Sequence, residues 1–302
     1  MHVTPGLDFQ YRSISIGRLG EMREWFDKLD KGGKLSQQPI YRKYIGSFDF
    51  TPPKDLPGAK SIIIMSLPDW ISSVTFHHRG KSRDLLIPCG YVDFGLAQET
   101  IDKWVSTEIL KDPAAQFVSA RKRPLKTLAA SSGLAAYGKN NISYVEGYGS
   151  CHALCAYFTD KSLPDQWGPL HMLRQCKGCR ICTAACPTKA IRAEEFVIDA
   201  GKCLSLYYER EEPLPSWIDA SAYHTLAGCL DCQYTCPANR DEIKKIRKIG
   251  DISEQETELL LTGGTDAALR ASIAKKLASF SVVSDFEFFL RNFRLAWANA
   301  VK

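Results

Sequence analysis

The sequence predicts an α+β protein in three parts: an α/β domain over residues 1–170, a cysteine-rich domain over 171–240 and a helical segment over 241–302. Three observations support this division. Stretches with helical and strand periodicity alternate in the first part. Eight cysteines and little regular periodicity occupy the second part, as expected of a fold organised by metal. The third part has a helical pattern that is broken at Gly263-Gly264.

The elements of the first part follow from the spacing of apolar residues. Helices are predicted over residues 18–29, 96–110 and 125–132, the last of them ending at Gly133. A loop rich in Pro, Asp and Lys leads to Pro57-Gly58, and the apolar run at 61–67 is typical of a buried strand. Residues 142–146 and 151–158 flank Gly147-Tyr148-Gly149 and predict two strands joined by a turn.

The composition is that of a globular protein whose cysteines bind metal. Of 302 residues, 45% are hydrophobic and 24% are charged, which excludes a disordered chain. The longest apolar stretches are too short to span a bilayer, and the first ten residues lack the features of a secretory signal. We therefore expect a cytoplasmic protein with no membrane partner. Eleven cysteines, an odd number, are then better explained by metal ligation than by disulfides.

The strongest motif is Cys176-x2-Cys179-x2-Cys182-x3-Cys186-Pro187, the spacing of bacterial ferredoxins with two [4Fe–4S] clusters. Three thiolates at short intervals wrap one face of a cubane. The fourth thiolate lies beyond a helical turn and points to the neighbouring cluster. The second part is therefore predicted to be a double [4Fe–4S] ferredoxin-like domain.

A second motif, Cys229-x2-Cys232-x3-Cys236-Pro237, lacks one cysteine of this pattern, and Cys203 is the obvious donor of the missing thiolate. Exchange of the fourth ligands assigns Cys176, Cys179, Cys182 and Cys236 to cluster one, and Cys186, Cys203, Cys229 and Cys232 to cluster two. The alternative is a pair of zinc sites, because Cys-x2-Cys pairs also bind zinc. Two separate Cys-x3-Cys-Pro endings favour the clusters, and adjacent clusters predict low-potential electron transfer.

The net charge of +5 falls to about +1 when two clusters are counted, since each four-thiolate cubane adds about −2. Two local basic runs remain: Arg121-Lys122-Arg123 with nearby Lys126, and residues 244–248. We expect both runs to be ordinary solvated surface.

The other three cysteines are not predicted ligands. Cys151 and Cys155 lie four apart on a predicted strand, which separates them by about 13 Å, and Cys89 lies in a predicted loop. The sequence has no G-x-G-x-x-G and no G-x4-G-K-[ST], so nicotinamide and nucleotide chemistry have no sequence support. A D-x-H-x-x-G motif, which supplies a histidine to cobalt in some corrinoid proteins, is also absent.

Several segments outside the cysteine spacing carry a family resemblance. They are Pro187-Thr188-Lys189-Ala190-Ile191, Lys202-Cys203-Leu204-Ser205, Cys229-Leu230-Asp231-Cys232-Gln233, Gly133-Leu134-Ala135-Ala136-Tyr137-Gly138-Lys139 and the LPGAKS run at 56–61. With the cysteine array they resemble epoxyqueuosine reductases, most specifically between residues 128 and 240. Reductive dehalogenases share the same core plan.

The resemblance implies a nitroreductase-like α/β domain that binds cobalamin base-off, without a histidine on cobalt. The clusters would pass electrons to this corrinoid, and the corrinoid would reduce a substrate, which in the family is a modified base of tRNA. An electron donor such as ferredoxin or flavodoxin is then expected. By position, the resemblance places seven residues at the cofactors: Ser119, Tyr137, Gly138, Lys139, Ser205, Asp231 and Gln233.

Two positions depart from the family. Its members carry an aspartate, the expected proton donor, where this chain has Ser119, and a serine hydroxyl is a poor acid near neutral pH. The family's Trp-Thr-Gly-Lys is Ala136-Tyr137-Gly138-Lys139 here. Tyr137 is therefore the alternative catalytic proton donor, with a pKa lowered by Lys139 or Arg121; otherwise its ring is simply packed.

Three functions remain open from the sequence. We favour a cobalamin-dependent iron–sulfur oxidoreductase with an unidentified substrate. The alternatives are a true epoxyqueuosine reductase acting on tRNA, and an electron-transfer or corrinoid-reactivating protein without substrate chemistry of its own.

Overall fold

The computed structural model describes residues 9–93, 95, 98–193, 195–210 and 214–300. Within them the strands are β1 (Gln10–Ser15), β2 (Ser61–Pro68), β3 (Ile71–His78), β4 (Lys81–Ile87), β5 (Phe117–Ser119), β6 (Ala136–Tyr137), β7 (Ser143–Tyr144), β8 (His152–Thr159) and β9 (Ile246–Ile252). The α-helices are α1 (Arg18–Lys31), α2 (Pro39–Gly46), α3 (Gln98–Trp104), α4 (Leu125–Ser131), α5 (Ile181–Ala185), α6 (Leu204–Tyr208), α7 (Asp231–Tyr234), α8 (Glu254–Thr262), α9 (Ala267–Lys276) and α10 (Phe286–Asn299).

A four-stranded antiparallel sheet, in the order β1-β2-β8-β5, forms the centre of the first domain. β2 is buried on both faces, as its continuous apolar sequence predicted. Ile62 and Ile64 pack with residues of α1 and α4 on one face. Ile63 and Met65 pack on the other face against Val105, in the π-helical turn Val105–Leu110 that continues α3. The sheet therefore separates two distinct layers of side chains.

The predicted helices at 18–29 and 125–132 are confirmed as α1 and α4. The predicted helix at 96–110 corresponds to α3 and its π-helical turn, and its first residue, Leu96, lies outside the described residues. The loop predicted after α1 is wrong in part, because it contains α2. Gln38 caps that helix by accepting bonds from the backbone N–H groups of Ile40 and Tyr41.

The predicted pairing around Gly147-Tyr148-Gly149 is also wrong in part. The turn is present, with positive φ at both glycines. However, β7 pairs with β6, whereas β8 pairs with β2 and β5. Tertiary contacts outweigh the local hairpin because β8 fills the gap between two strands of the central sheet.

The prediction of a helical segment over 241–302 needs a larger correction. β9 belongs to a second sheet, in the order β4-β3-β9, and runs parallel to β3. Helices α8 to α10 then cover this sheet, with the Phe76 and Phe293 ring centroids 4.8 Å apart. The C-terminal segment is therefore packed into the first domain and is not a separate tail.

The cysteine-rich part has only short helices, as its lack of periodicity predicted. Of these, α5 and α7, which carry Cys182 and Cys232, pack against each other. Across the described part of the chain, we find no helix with both the length and the apolar character needed to cross a membrane.

Candidate iron–sulfur and cofactor site

Four cysteines line one small pocket, which we call the outer pocket: Cys176, Cys179, Cys182 and Cys236. Cys176 and Cys179 lie on the loop that leads into α5, where Gly178 turns the chain with φ of +72°, and Cys182 lies in the first turn of α5. Cys236 arrives from the second motif, 54 positions after Cys182. These are the four residues that the exchange of fourth ligands predicts for cluster one.

The remaining four motif cysteines form an adjacent set, which we call the inner group: Cys186, Cys203, Cys229 and Cys232. Cys186 packs with Cys203 and Cys232. The Cys229 thiol lies close enough to Cys203 and Cys232 for their charges to interact. Cys182 of the outer pocket belongs to the same packed cluster as Cys186, so the two sets of thiols adjoin.

Burial raises the pKa of the Cys203, Cys229 and Cys232 thiols. Iron takes its cysteine ligands as thiolates, so bound clusters would offset this cost. Among the residues described, no three His, Cys, Asp or Glu side chains converge closely enough to hold a single metal ion. The donor set fits two adjacent cubanes.

Four of the residues that the family resemblance places at cofactors lie beside these thiols. The backbone N–H of Lys139 donates to Cys176 Sγ at 3.4 Å, and Lys139 Nζ donates to the Cys179 carbonyl at 2.7 Å. A Cβ at Gly138 would lie 2.3 Å from Asn140 Oδ1, so only glycine allows this approach. Burial raises the pKa of the Cys203 thiol, and the nearby Ser205 N–H and hydroxyl oppose that rise.

Asp231 lies beside the inner group. One carboxylate oxygen, Oδ2, is 3.7 Å from Cys229 Sγ, and the other is 3.0 Å from His224 Nε2. The hydrogen bond to Asp231 raises the pKa of His224. The member of this pair that lies next to the inner group is the carboxylate. Burial first, and then the negative charge of this carboxylate, raise the pKa of the Cys229 thiol.

A cavity of about 810 Å³, the central cavity, lies between the first domain and the inner group. Gln233, the residue after Cys232, lines it, as do many apolar and aromatic side chains. Arg121, Lys122, Arg123 and Lys126 contribute four cations to the wall, and the described lining contains no Asp or Glu. The cavity is large, partly aromatic and positively charged.

Tyr137 lines the central cavity as a packed ring. It stacks on Phe196 with centroids 4.5 Å apart, and its hydroxyl lies 3.1 Å from Thr127 Oγ1. Burial raises the pKa of Tyr137 to about 12. The expectation that Lys139 lowers this pKa is wrong, because the Lys139 ammonium turns away to the Cys179 carbonyl.

Ser119 lies elsewhere, in a separate cavity of about 300 Å³, which we call the side cavity and which is also lined by Asp102, Arg121 and Tyr157. Ser119 pairs with Tyr157 across β5 and β8, and the Tyr157 side chain packs on the face of the sheet covered by α3. The Tyr157 hydroxyl donates to Asp102 Oδ1 at 2.9 Å. Of the lining residues described, Arg121 is shared with the central cavity.

Three hydrogen-bonded polar residues, Asn239, Ser150 and Gln233, join the wall of the central cavity to the second cysteine motif. Gln233 was expected from the resemblance, whereas sequence reasoning missed Asn239 and Ser150. Asn239 is fully buried and accepts from the backbone N–H of Ser150 at 2.9 Å. Its Nδ2 donates to Ser150 Oγ at 2.7 Å and to the Gln233 carbonyl at 3.0 Å. Ser150 Oγ in turn donates to Gln233 Oε1 at 2.8 Å. Only the proximity of Asn239 to the Cys236-Pro237 ending hinted at this role.

The non-motif cysteines lie outside both thiol sets. Cys155 packs on the α3 face of β8, whereas Cys89 and Cys151 form a side-chain hydrogen bond with each other. His152, also missed from the sequence, lines the central cavity, and its Nε2 lies 3.0 Å from the Ser143 carbonyl. Burial lowers the pKa of His152, which favours the neutral imidazole.

Comparison with known proteins agrees with a double-cluster domain in this part of the chain. Residues 175–239 match the model of the 4Fe-4S double cluster binding domain. The epoxyqueuosine reductase of Synechocystis sp. is 31% identical over 144 residues, which cover 47% of this chain and 48% of that protein. The chain thus spans about half the length of this relative.

Solved structures agree with the fold. The epoxyqueuosine reductase of Bacillus subtilis, described with its catalytic aspartate loop swung out of the active site, aligns with a TM-score of 0.69 and 20% identity. An epoxyqueuosine reductase with an epoxyqueuosine-modified tRNA stem loop aligns with a TM-score of 0.64 and 20% identity. Each alignment covers 98% of this chain and 78% of the other.

The fold and the thiol sets define a class: an iron–sulfur protein in which a double [4Fe–4S] cluster domain packs against a mixed α/β domain. Within that class, the predicted resemblance to epoxyqueuosine reductases is confirmed by these relatives and structures.

Proposed function

We propose that this protein is an oxidoreductase in which two [4Fe–4S] clusters deliver electrons to a base-off cobalamin that reduces epoxyqueuosine in tRNA. The outer pocket would hold cluster one and the inner group cluster two. The observation that carries the proposal is the central cavity, whose lining combines side chains of the α/β domain with Gln233, the residue after Cys232 of the inner group. When bound there, a reduced corrinoid supplies a strong nucleophile or reductant.

The lining of the central cavity supports a corrinoid. Its volume is in the range of small-molecule and cofactor sites, and aromatic side chains such as Trp25, Tyr41 and Phe48 provide flat apolar walls. His152 is the histidine among the described lining residues, and its Nε2 is already bonded to the Ser143 carbonyl. Its Nδ1 has no hydrogen-bond partner among the described residues, so cobalt without a protein imidazole rests on the family resemblance and not on this lining. A nitroreductase-like ancestry of the domain stays a prediction.

The charge of the cavity supports an anionic substrate such as RNA. Arg121 and Lys122 are exposed at the wall, and Lys126 Nζ is held at 3.0 Å from the Asn141 carbonyl. Arg123 pairs with Asp49, but the other three form no ion pair among the described residues. A similar structure is described with a tRNA stem loop. Phosphate contacts from such cations predict strong salt dependence of binding.

Ser119 favours a second candidate, a cobalamin-dependent reductase of a different substrate. The family aspartate is replaced by serine here, and Ser119 lies in the side cavity with Asp102. Tyr137, with a pKa of about 12, is a weaker acid than an ordinary tyrosine. Proton delivery to a leaving epoxide oxygen is then unsupported by either residue.

A single-turnover assay separates these candidates. The anaerobic chain, reconstituted with iron, sulfide and cobalamin, is reduced chemically and mixed with an epoxyqueuosine-containing tRNA stem loop, and nucleosides are quantified. Robust conversion supports the first candidate. Conversion that becomes at least about 100-fold faster in Ser119→Asp, the scale of general-acid catalysis, supports the second.

Corrinoid binding is the companion measurement. We expect a cob(II)alamin electron paramagnetic resonance signal without nitrogen superhyperfine coupling from histidine. If the chain binds no cobalamin at micromolar concentration, both candidates are contradicted. The third function, electron transfer or corrinoid reactivation without substrate chemistry, then remains. Lys122→Gln should weaken binding of the stem loop, whereas Lys244→Gln, a surface cation paired with Asp241, is the matched control.

A further inference from the structure

The outer pocket and the inner group differ in what surrounds them. Gln233 lines the central cavity directly after Cys232 of the inner group, and Lys126 on the cavity wall acts electrostatically on Cys203. No residue adjacent in sequence to a cysteine of the outer pocket lines the described cavity. Instead, the outer pocket is edged by exposed Gln175, Ile181 and Pro237. Cluster one would thus face solvent and cluster two the cavity.

The segment around the outer pocket is strongly one-sided in charge. Residues 171–192 contain Arg174, Lys177, Arg180, Lys189 and Arg192 and no Asp or Glu. Arg174, Lys177 and Lys189 are exposed, and none of these three forms an ion pair with the described part of the chain. Lys177 directly follows Cys176, a predicted ligand of cluster one.

The basic run at residues 244–248 differs from residues 171–192, because its lysines are paired with carboxylates. Lys244, Lys245 and Lys248 each pair with a carboxylate three residues away, as expected for solvated surface. The cations of 171–192 partly offset the negative charge of the clusters. Offsetting the charge of the clusters does not require these cations to be exposed beside the outer pocket.

Exposed apolar side chains accompany the cations. Ile181, next to Cys182, is 44% exposed, and Met172 and Tyr234 are 37% and 50% exposed. Redox partners meet through small, transient interfaces, in which complementary charge raises the association rate and a few apolar contacts fix the geometry. An apolar centre with a basic rim fits an acidic partner.

We propose that this surface, formed by Met172, Arg174, Lys177, Ile181 and Lys189, is the docking site of a small acidic electron-carrier protein of the flavodoxin or ferredoxin kind. One electron leaves the reduced carrier and reduces the [4Fe–4S]2+ state of cluster one to [4Fe–4S]1+, with no proton transferred. The electron then passes to cluster two, which lies on the side of the central cavity. The inference depends on the clusters, and it rests on the proposed function only for the final use of the electron.

The test is anaerobic stopped-flow reduction of the cluster absorbance in the corrinoid-free, cluster-loaded chain, so that failure of the corrinoid proposal does not affect it. The reductant is a reduced acidic flavodoxin or ferredoxin. We expect Arg174→Gln/Lys177→Gln to lower the second-order rate constant at least tenfold at low salt and to flatten its salt dependence. The matched control, Lys244→Gln/Lys245→Gln, should match the wild type.

Reduction by methyl viologen radical, a small cation, should not be slowed in either double variant. If reduction by methyl viologen is slowed in Arg174→Gln/Lys177→Gln, a second variant decides. Arg174→Lys/Lys177→Arg keeps both charges and must then show the wild-type rate with the acidic carrier. Equal slowing in the two double variants, or a rate that does not respond to Arg174 and Lys177, would overturn the proposal. Failure of both acidic carriers to reduce the wild-type clusters would overturn it as well.

Discussion

Asn239 makes the clearest quantitative prediction, because it connects the second cysteine motif to the turn beside the central cavity. Asn239→Ala removes the acceptor of the Ser150 N–H and a donor to the Gln233 carbonyl. Ser150 Oγ keeps its bond to Gln233, and the Gln233 carbonyl keeps the N–H of Cys236, so one buried backbone group, the Ser150 N–H, loses its partner. An unsatisfied buried group costs about 1–3 kcal/mol, so we expect a loss of about 1–3 kcal/mol in the free energy of unfolding.

The assay is anaerobic thermal unfolding of the cluster-loaded chain, followed by circular dichroism and by cluster absorbance. At roughly 2–4 °C per kcal/mol, a loss near 2 kcal/mol lowers the melting temperature by about 6 °C. The control is Asn299→Ala: the Asn299 amide also donates to backbone carbonyls, at Ala220 and Tyr223, but the residue is half-buried at the end of α10. Similar shifts in the two variants, or no shift at Asn239, would refute the reasoning.

Three further predictions follow from the site and its support. Cys203→Ala should halve the iron content, from about eight to about four per chain, with cluster one retained; iron analysis and cluster spectra check this. Tyr137→Phe should bind the corrinoid and show an unchanged pH–rate profile below pH 10, since the pKa of Tyr137 is about 12. Burial opposes ionisation of Glu256, but hydrogen bonds from Lys276, Ser272 and Ser253 lower its pKa to about 2 from 4.5. That shift contributes about 3 kcal/mol to the free energy of unfolding above pH 4.5, and this contribution is lost as the pH falls toward 2. Glu256→Gln should remove this part of the pH dependence of the melting temperature, measured on the metal-free chain.

The cysteine spacing predicted the four ligands of cluster one, and these four cysteines line the outer pocket. The reason is local geometry: Cys176, Cys179 and Cys182 are separated by two residues each, so a short loop must bring them together whatever the rest of the fold does. The same applies to β2, because a continuous apolar run must be buried on both faces. Features that depend on residues close together in the sequence can therefore be predicted without knowing the tertiary structure.

The tertiary structure decided the orientation and acidity of the candidate catalytic residues. Alternation along β5 and β8 places Ser119 in the side cavity with Tyr157, and no local pattern reveals which layer that face meets. The pKa of Tyr137 rises because Phe196, 59 residues away in sequence, helps to bury it. Lys139, expected to lower that pKa, bonds instead to Cys179. Desolvation and long-range hydrogen bonds depend on which distant segments meet, and the sequence alone does not specify those meetings residue by residue.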